Sequence, residues 1–391
     1  MGISITRAKG QLNRTQPTDD AVICMVISGT AVVDKIALSE PKQIFTSEAI
    51  NDLGITEANN PVAFRDITDY YRKAGEGAEL NFMLVSNATT LEDMCDPVGT
   101  IAKKILDFTA GRGVVLLVNK DFPVDYVPAI VTGFDGDVLA AATKLNALAV
   151  EYQTANVPFV GVLPAFGFSK DTIAAMPDRS TLESDNVALT AACEKSDAHI
   201  SIGLIAGCIA NAQVSQNIGR VLFGAACDTG FFPDKTPAAD LKNSYAALDN
   251  KGIVYFIKIA GKSGVYFNDD PCFTATTSDY SSISWNRVIN KAHRIAYDIL
   301  VEKLRDDVDL DPNTGKVETS LLSDWESDVE NAIRSNMIVV SVGKQTEISG
   351  IKCTIDPNSD INNDQLSASI DIVRKGQVKT IAVRIGYVQS L

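Results

Sequence analysis

The 391-residue chain is short of the groups on which much enzyme chemistry depends. It has two histidines, His199 and His293, and no GxSxG turn, so a serine–histidine–acid triad has little to be built from. Its seven cysteines stand singly at 24, 95, 193, 208, 227, 272 and 353, with no CxxC pair and an odd count, which argues against a zinc site or a disulfide framework and for reduced, buried thiols. No apolar run reaches the ~18 residues of a membrane-spanning helix, and the opening MGISITRAKGQLNRTQPTDD has no apolar core of signal-peptide length. Direct membrane insertion is therefore not expected, and synthesis in the cytosol is. Positive charge is in the minority. With 35 Lys and Arg against 49 Asp and Glu, the net charge of −14 repels phosphate backbones, so no nucleic-acid partner is expected.

What is present is ordinary globular material: 46% hydrophobic and 21% charged, enough for two or three domains of ~100–200 residues each. Residues 1–20 are polar with few anchors and read as an arm without its own core. DAVICMVISGTA (20–31) is a strand, and SEAINDLG (47–54) a short helix with Ser47 as N-cap and Gly54 as C-cap. From 80 the types alternate: strand LNFMLVS (80–86), helix 96–111 capped by Asp96 with Pro97 at its first position, strand GVVLLVN (113–119), helix 135–156, then strands 157–165 and 186–192. Strands apolar throughout, separated by helices, predict a mostly parallel sheet covered on both faces, a three-layer α/β domain over 60–240.

The pattern changes after 240. GIVYFIKIA (252–260) is a strand. Helix 284–308 has apolar positions at Trp285, Val288, Ile289, Ala292, Ile295, Ala296, Ile299 and Leu300, and helix 320–336 follows. Then the period becomes two, in IKCTI (351–355), LSASIDI (366–372) and KTIAVRIGY (379–387), the last two joined by the hairpin signal RKGQ. The fold class is thus α/β plus α+β. The predicted segments are an arm at 1–20, a strand-rich joining segment at 21–59, the α/β domain at 60–240, an α+β domain at 241–376 and a terminal strand or arm at 377–391.

Two apparent sites fail on the residues that would make them work. Gly261-Lys262-Ser263 ends like a phosphate-binding loop, but the required first glycine falls on Phe256, so a turn between two strands is the better reading and no nucleotide cofactor is expected. Asp309, Asp311 and Asn313 match the start of a calcium loop, but its glycine position is Thr314 and its bidentate glutamate position Ser320. The carboxylates of FNDDP (267–271) read as turn formers, and His293 lies on the polar side of its helix as a surface residue. An α/β enzyme remains the alternative, with a cleft at the strand C-termini formed by 86–90, 119–123 and 163–167 and with Lys120 and Asp121 as its chemical groups.

SGVYFNDDPCFTATTSDYSSISWNRVINKAHRIAYDIL, VDLDPNTGKV, WESDVENAI and a closing pair of alternating strands resemble, in that order, the C-terminal half of phage contractile tail sheath proteins. GLIAGCIANAQVSQNIGRV (203–221) and DDAVICMVISG resemble the sheath's Ala-Gly helix and first core strand, while 60–185 shares only the α/β pattern. The resemblance implies a structural subunit, not an enzyme. Such a subunit stacks in six-fold rings around an inner tail tube, with baseplate and terminator proteins as further partners, in a virion tail or injection particle made in the bacterial host cytoplasm. It implies exchanged terminal arms, anchored here by Ile3 and Ile5 and by Ile381, Val383 and Ile385, that add strands to neighbouring copies. In an acidic protein the basic stripe of Arg287, Lys291, Arg294, Lys303 and Arg305 stands out, and it is expected to face the tube through exposed contacts. The strand 379–387 is equally open to pairing with 366–373 of its own chain.

Overall fold

The computed structural model describes residues 20–109, 112–122, 126–338, 345–359, 366–379 and 381–384. They form two compact units, one ending at Glu302 and one beginning at Lys303.

In chain order the first unit contains β1 (Val22–Gly29), β2 (Lys42–Ile44), α1 (Ala49–Asp52), α2 (Pro61–Ala74), β3 (Leu80–Ser86), α3 (Leu91–Met94), α4 (Ile101–Phe108) and β4 (Val114–Asn119). It continues through β5 (Ile130–Val131), β6 (Phe134–Asp135), α5 (Gly136–Thr154), β7 (Phe159–Pro164), β8 (Glu183–Ser184), β9 (Val187–Thr190), α6 (Ile202–Asn211) and α7 (Tyr245–Asp249). It closes with β10 (Ile253–Val254), β11 (Phe256–Ile257), β12 (Tyr266–Phe267), β13 (Phe273–Thr274) and α8 (Ile283–Val301). The second unit holds α9 (Thr319–Met337), β14 (Ile348–Ile355) and β15 (Ala368–Arg374).

A seven-stranded sheet in the order β10-β9-β7-β4-β1-β3-β2 organises the first unit. Neighbours run parallel except for β2, which pairs antiparallel with β3 at one edge. Every residue of β1, β4, β7 and β9 is buried, so both faces are covered, which is why their sequences are continuously apolar instead of alternating. The segment 21–59 supplies the interior strand β1, between β4 and β3, and residues past 240 supply the edge strand β10.

Helix α2, not among the elements expected from the sequence, starts with Pro61 and buries Val62, Ala63, Ile67, Tyr70 and Tyr71 at helical spacing, and it packs closely on α6. That approach depends on Gly203 and Gly207, one turn apart on α6: a Cβ there would lie 2.0 Å from the Asp66 carbonyl oxygen and 2.5 Å from that of Tyr70. Two expected caps differ. Ser47 hydrogen-bonds Glu76 at 2.6 Å instead of capping α1. Asp96 takes the Val98 amide at 3.1 Å in a local turn, and α4 begins at Ile101 with Thr100 at its N-cap position. The Gly261-Lys262-Ser263 triplet lies in the turn between antiparallel β11 and β12, with Gly261 at φ 75°.

In the second unit α9 lies against a two-stranded ribbon. Val317, Leu322, Trp325 and Ile355 form a small core, and Val329, Ile333, Met337 and Cys353 are also buried.

Candidate functional site

The end of the parallel sheet is where an α/β enzyme would keep its chemistry. Several of its polar groups, Asp66, Asn119, His199 and Lys120, are engaged in contacts between elements. Asp66 of α2 is fully buried and accepts from Asn119 Nδ2 at 2.7 Å and from the Gly203 amide at 3.1 Å, with His199 Nε2 at 3.2 Å, so it binds the end of β4 to the start of α6. Lys120 donates to the Thr89 carbonyl and lies over the Phe122 ring, which stacks on Phe166 with centroids 3.6 Å apart. Asp121 donates its amide to Ser28 Oγ at 2.5 Å, and burial pushes its carboxyl above the usual range. Among the described residues no cluster of His, Cys, Asp and Glu is arranged to hold a metal ion. The seven cysteines are free, six of them buried.

The basic stripe of α8 is corrected by the structure. Arg287 and Lys291 are 5% and 8% exposed, and both face Asp20 at the start of β1. Lys291 Nζ lies 2.7 Å from Asp20 Oδ2, and Arg294 lies 2.8 Å from Oδ1. Arg287 donates to the carbonyls of Asp20 at 3.2 Å and Ala212 at 3.3 Å. Burial raises the Asp20 carboxyl, but Lys291 and Arg294 outweigh it and hold the group below its ordinary value. So α8 is buried along a polar stripe that includes Ser284, Asn286, Arg287 and Lys291, while Trp285, Ile289, Ile295 and Ile299 are only half-buried. Helical periodicity separates two faces but cannot say that one is met by a carboxylate. His293 is also not a simple surface residue: it contacts Asn156 Oδ1 at 3.0 Å, and burial, with Arg294 beside it, lowers its pKa. Lys303 and Arg305 belong to the second unit. Lys303 pairs with Asp328 at 2.9 Å and sits over Trp325, and Arg305 is exposed.

The second unit presents unfinished sheet. Antiparallel β14 and β15 pair from Ile348↔Arg374 to Ile355↔Ala368, with an irregularity between Ile348 and Gly350. Two strands and one helix leave β15 half-buried at best, with Val373 60% exposed. Beyond it, the described residues 375–379 and 381–384 form no strand, and Ile381 and Val383 are 78% and 72% exposed. Alternating apolar side chains directed to water are a poor solution for a free chain and a good one for a strand that joins a sheet. Of the expected arm residues, Ile3, Ile5 and Ile385 lie outside the described residues.

The outer edge of β14, away from β15, is held by α9. The Asp356 amide bonds the Ser367 carbonyl at 2.8 Å, so even-numbered residues turn toward β15 and odd-numbered ones outward. The outward amides of Cys353 and Ile355 donate to Glu330 Oε1 at 2.9 Å and Glu326 Oε1 at 2.8 Å. No sequence signal singles out this pair. Two glutamates four apart on an amphipathic helix read as a solvated face, and only the register of β14 brings amides to them.

Comparisons with known proteins agree with this architecture. Residues 1–271 match the N-terminal domain of the DUF2586 family, and residues 279–391 match its C-terminal domain. The helical sheath of the anti-feeding prophage in its contracted state is similar over 100% of this chain and 99% of that one, at 13% identity and a TM-score of 0.61. The contracted sheath complex of the extracellular contractile injection system PVC is similar over 100% and 97%, at 12% identity and 0.58. The sheath tail protein of Desulfitobacterium hafniense is similar over 96% and 100%, at 9% identity and 0.50. No curated protein matches by sequence. The chain belongs to the DUF2586 family, and its fold is that of contractile tail sheath proteins.

Proposed function

We propose that this protein is the sheath subunit of a contractile tail or injection particle. It polymerises around an inner tube and contracts by rigid-body rearrangement between two packings. The observation that carries the reading is the likeness along the whole chain to sheath subunits of two contractile injection systems, joined to a C-terminal unit whose ribbon and following segment remain incomplete in a single copy. A two-stranded ribbon is marginal in water, and strands from other copies would widen it. Each added backbone hydrogen bond nets only ~0.5–1.5 kcal/mol, but four or five per junction repeated around every ring make a continuous mesh. Partners under this reading are further copies of the chain, the inner tube, and baseplate and terminator proteins, in a particle assembled in the bacterial host cytoplasm. Tube contact falls to the exposed Arg305 and to Lys303, since Arg287, Lys291 and Arg294 are engaged with the start of β1. Energy for contraction comes from interfaces formed in the contracted packing, so no nucleotide is required. The enzyme alternative has the engaged polar groups at the sheet end against it.

Negative-stain microscopy of the purified chain, alone and with tube, tests the proposal. Hollow striated cylinders are the expected product. Discrete particles under all assembly conditions would refute it.

A further inference from the structure

We propose that Glu326 and Glu330 are placeholders for a missing strand. Their carboxylates hold the outward amides of Cys353 and Ile355 until the 381–384 segment of a second copy displaces them. This rests on reading the chain as a polymerising subunit. An exposed row of sheet donors is a template for indiscriminate pairing, and natural sheets protect such edges with charge or a covering element. Here one helix does both. Glu326 and Glu330 are one turn apart on α9, each half-buried, and they reach alternate outward amides of β14, at 2.8 and 2.9 Å.

The cap is incomplete by its own chemistry. An ionised carboxylate accepts hydrogen bonds but has no donor to offer the outward carbonyls of the same residues. A strand offers both, and its arrival returns rotamer freedom to two long side chains. The cap is therefore strong enough to occupy the edge and weak enough to be replaced.

Charge selects the occupant. From Arg374 to the last residue the chain carries Arg374, Lys375, Lys379 and Arg384 and no acid. Helix α9 carries Asp324, Glu326, Asp328 and Glu330 against Arg334 alone. In an extended strand Lys379 shares the side of Ile381 and Val383, so the side that brings the apolar pair to the sheet also brings Lys379 alongside the displaced carboxylates, with Arg384 on the opposite side. The donor is a second copy because a segment that follows β15 in its own chain would fold back beside β15, on the opposite side of the ribbon from these amides.

The test compares full-length wild type with Glu326→Ala/Glu330→Ala. Light scattering and microscopy give the protein concentration at which polymer forms without tube, and hydrogen exchange in the free subunit reads the amides of 353 and 355. We expect the threshold to fall at least tenfold and exchange at both amides to rise at least tenfold. The Glu330–Arg334 pair that the variant also loses, at 3.8 Å and partly exposed, contributes little. An unchanged threshold or unchanged exchange overturns the proposal. Glu326→Gln/Glu330→Gln keeps side-chain length and a neutral acceptor, so it guards against a misfolded alanine variant. It should give an intermediate threshold, and none lower than wild type overturns the idea. Asp324→Asn/Asp371→Asn makes the same charge change away from the edge and should leave the threshold alone; an equal shift there overturns it too. Polymer built from chains carrying Thr354→Cys with Ile381→Cys, Val383→Cys or Arg384→Cys should yield disulfide-linked ladders. Ladders formed only with cysteines placed in residues 1–12 would assign the edge to the other arm and refute the occupant. A wild type that never polymerises refutes the sheath reading and this proposal with it, whereas wild-type polymer with an unshifted threshold refutes the placeholder alone.

Discussion

At the residue scale, Asp20 connects two parts of the chain that are far apart in sequence, and it turns basic residues expected on the surface into structural ones. Replacing Lys291 and Arg294 with Glu would place three carboxylates in one half-buried cluster, so the expected outcome is a destabilised subunit. The melting temperature should fall by several degrees in the isolated protein, and a selective loss of tube attachment with an unchanged melting temperature would contradict the geometry. Since the Asp20 carboxyl lies below its unfolded value, its support is present above about pH 4 and is lost as the pH falls through the lower folded value. Asp270 behaves oppositely. It is 1% exposed, accepts from Ser282 Oγ at 2.7 Å and from the Ser284 amide at 3.0 Å, and is pushed up to about 7 by burial and then by the neighbouring Asp269. A carboxyl raised on folding supports the native state fully below about pH 4, and that support is lost as the pH rises through about 7. Melting temperatures between pH 4 and 8 should show this slope, and Asp270→Asn should reduce it.

At the element scale, the contact of α2 with α6 depends on the absence of two side chains. Gly203→Ala and Gly207→Ala each insert a methyl where backbone oxygens already lie, so the helices must separate, at a cost of about 1–3 kcal/mol or more per site. Chemical denaturation measures it, and a loss under half that range would mean that the helices separate freely. The GLIAGCIAN string reads as a helix through its resemblance, and α2 is not among the expected elements although Val62, Ala63, Ile67, Tyr70 and Tyr71 recur at helical spacing; that these two helices meet is a tertiary fact which neither pattern encodes. Strands β1, β3, β4, β7 and β9 were legible from their apolar runs alone. The long strand expected at 252–260 instead divides at Tyr255 between the main sheet and a hairpin, a change of partner that composition does not mark.

At the scale of the whole molecule, the incomplete ribbon makes a prediction that concerns assembly and not folding. Ile381→Lys/Val383→Lys alters side chains already in water, so the melting temperature of the subunit should stay within about a degree. Polymerisation should fail, because the inserted strand would bring two ammonium groups to an apolar face. Cylinders of normal length from this variant would remove 381–384 from the assembly contacts.

The sequence by itself determined the layered α/β class, the change of period after 340, the failure of the phosphate and calcium loops, and the alternation at 379–387, since each depends on local spacing or on a single required residue. Only the tertiary structure decided that β1 lies inside the sheet between β4 and β3, that Asp20 neutralises a basic helix face, and that two glutamates of α9 occupy the edge of β14. Those facts depend on which distant groups meet, and strand order and register, which no local pattern encodes, decide such meetings.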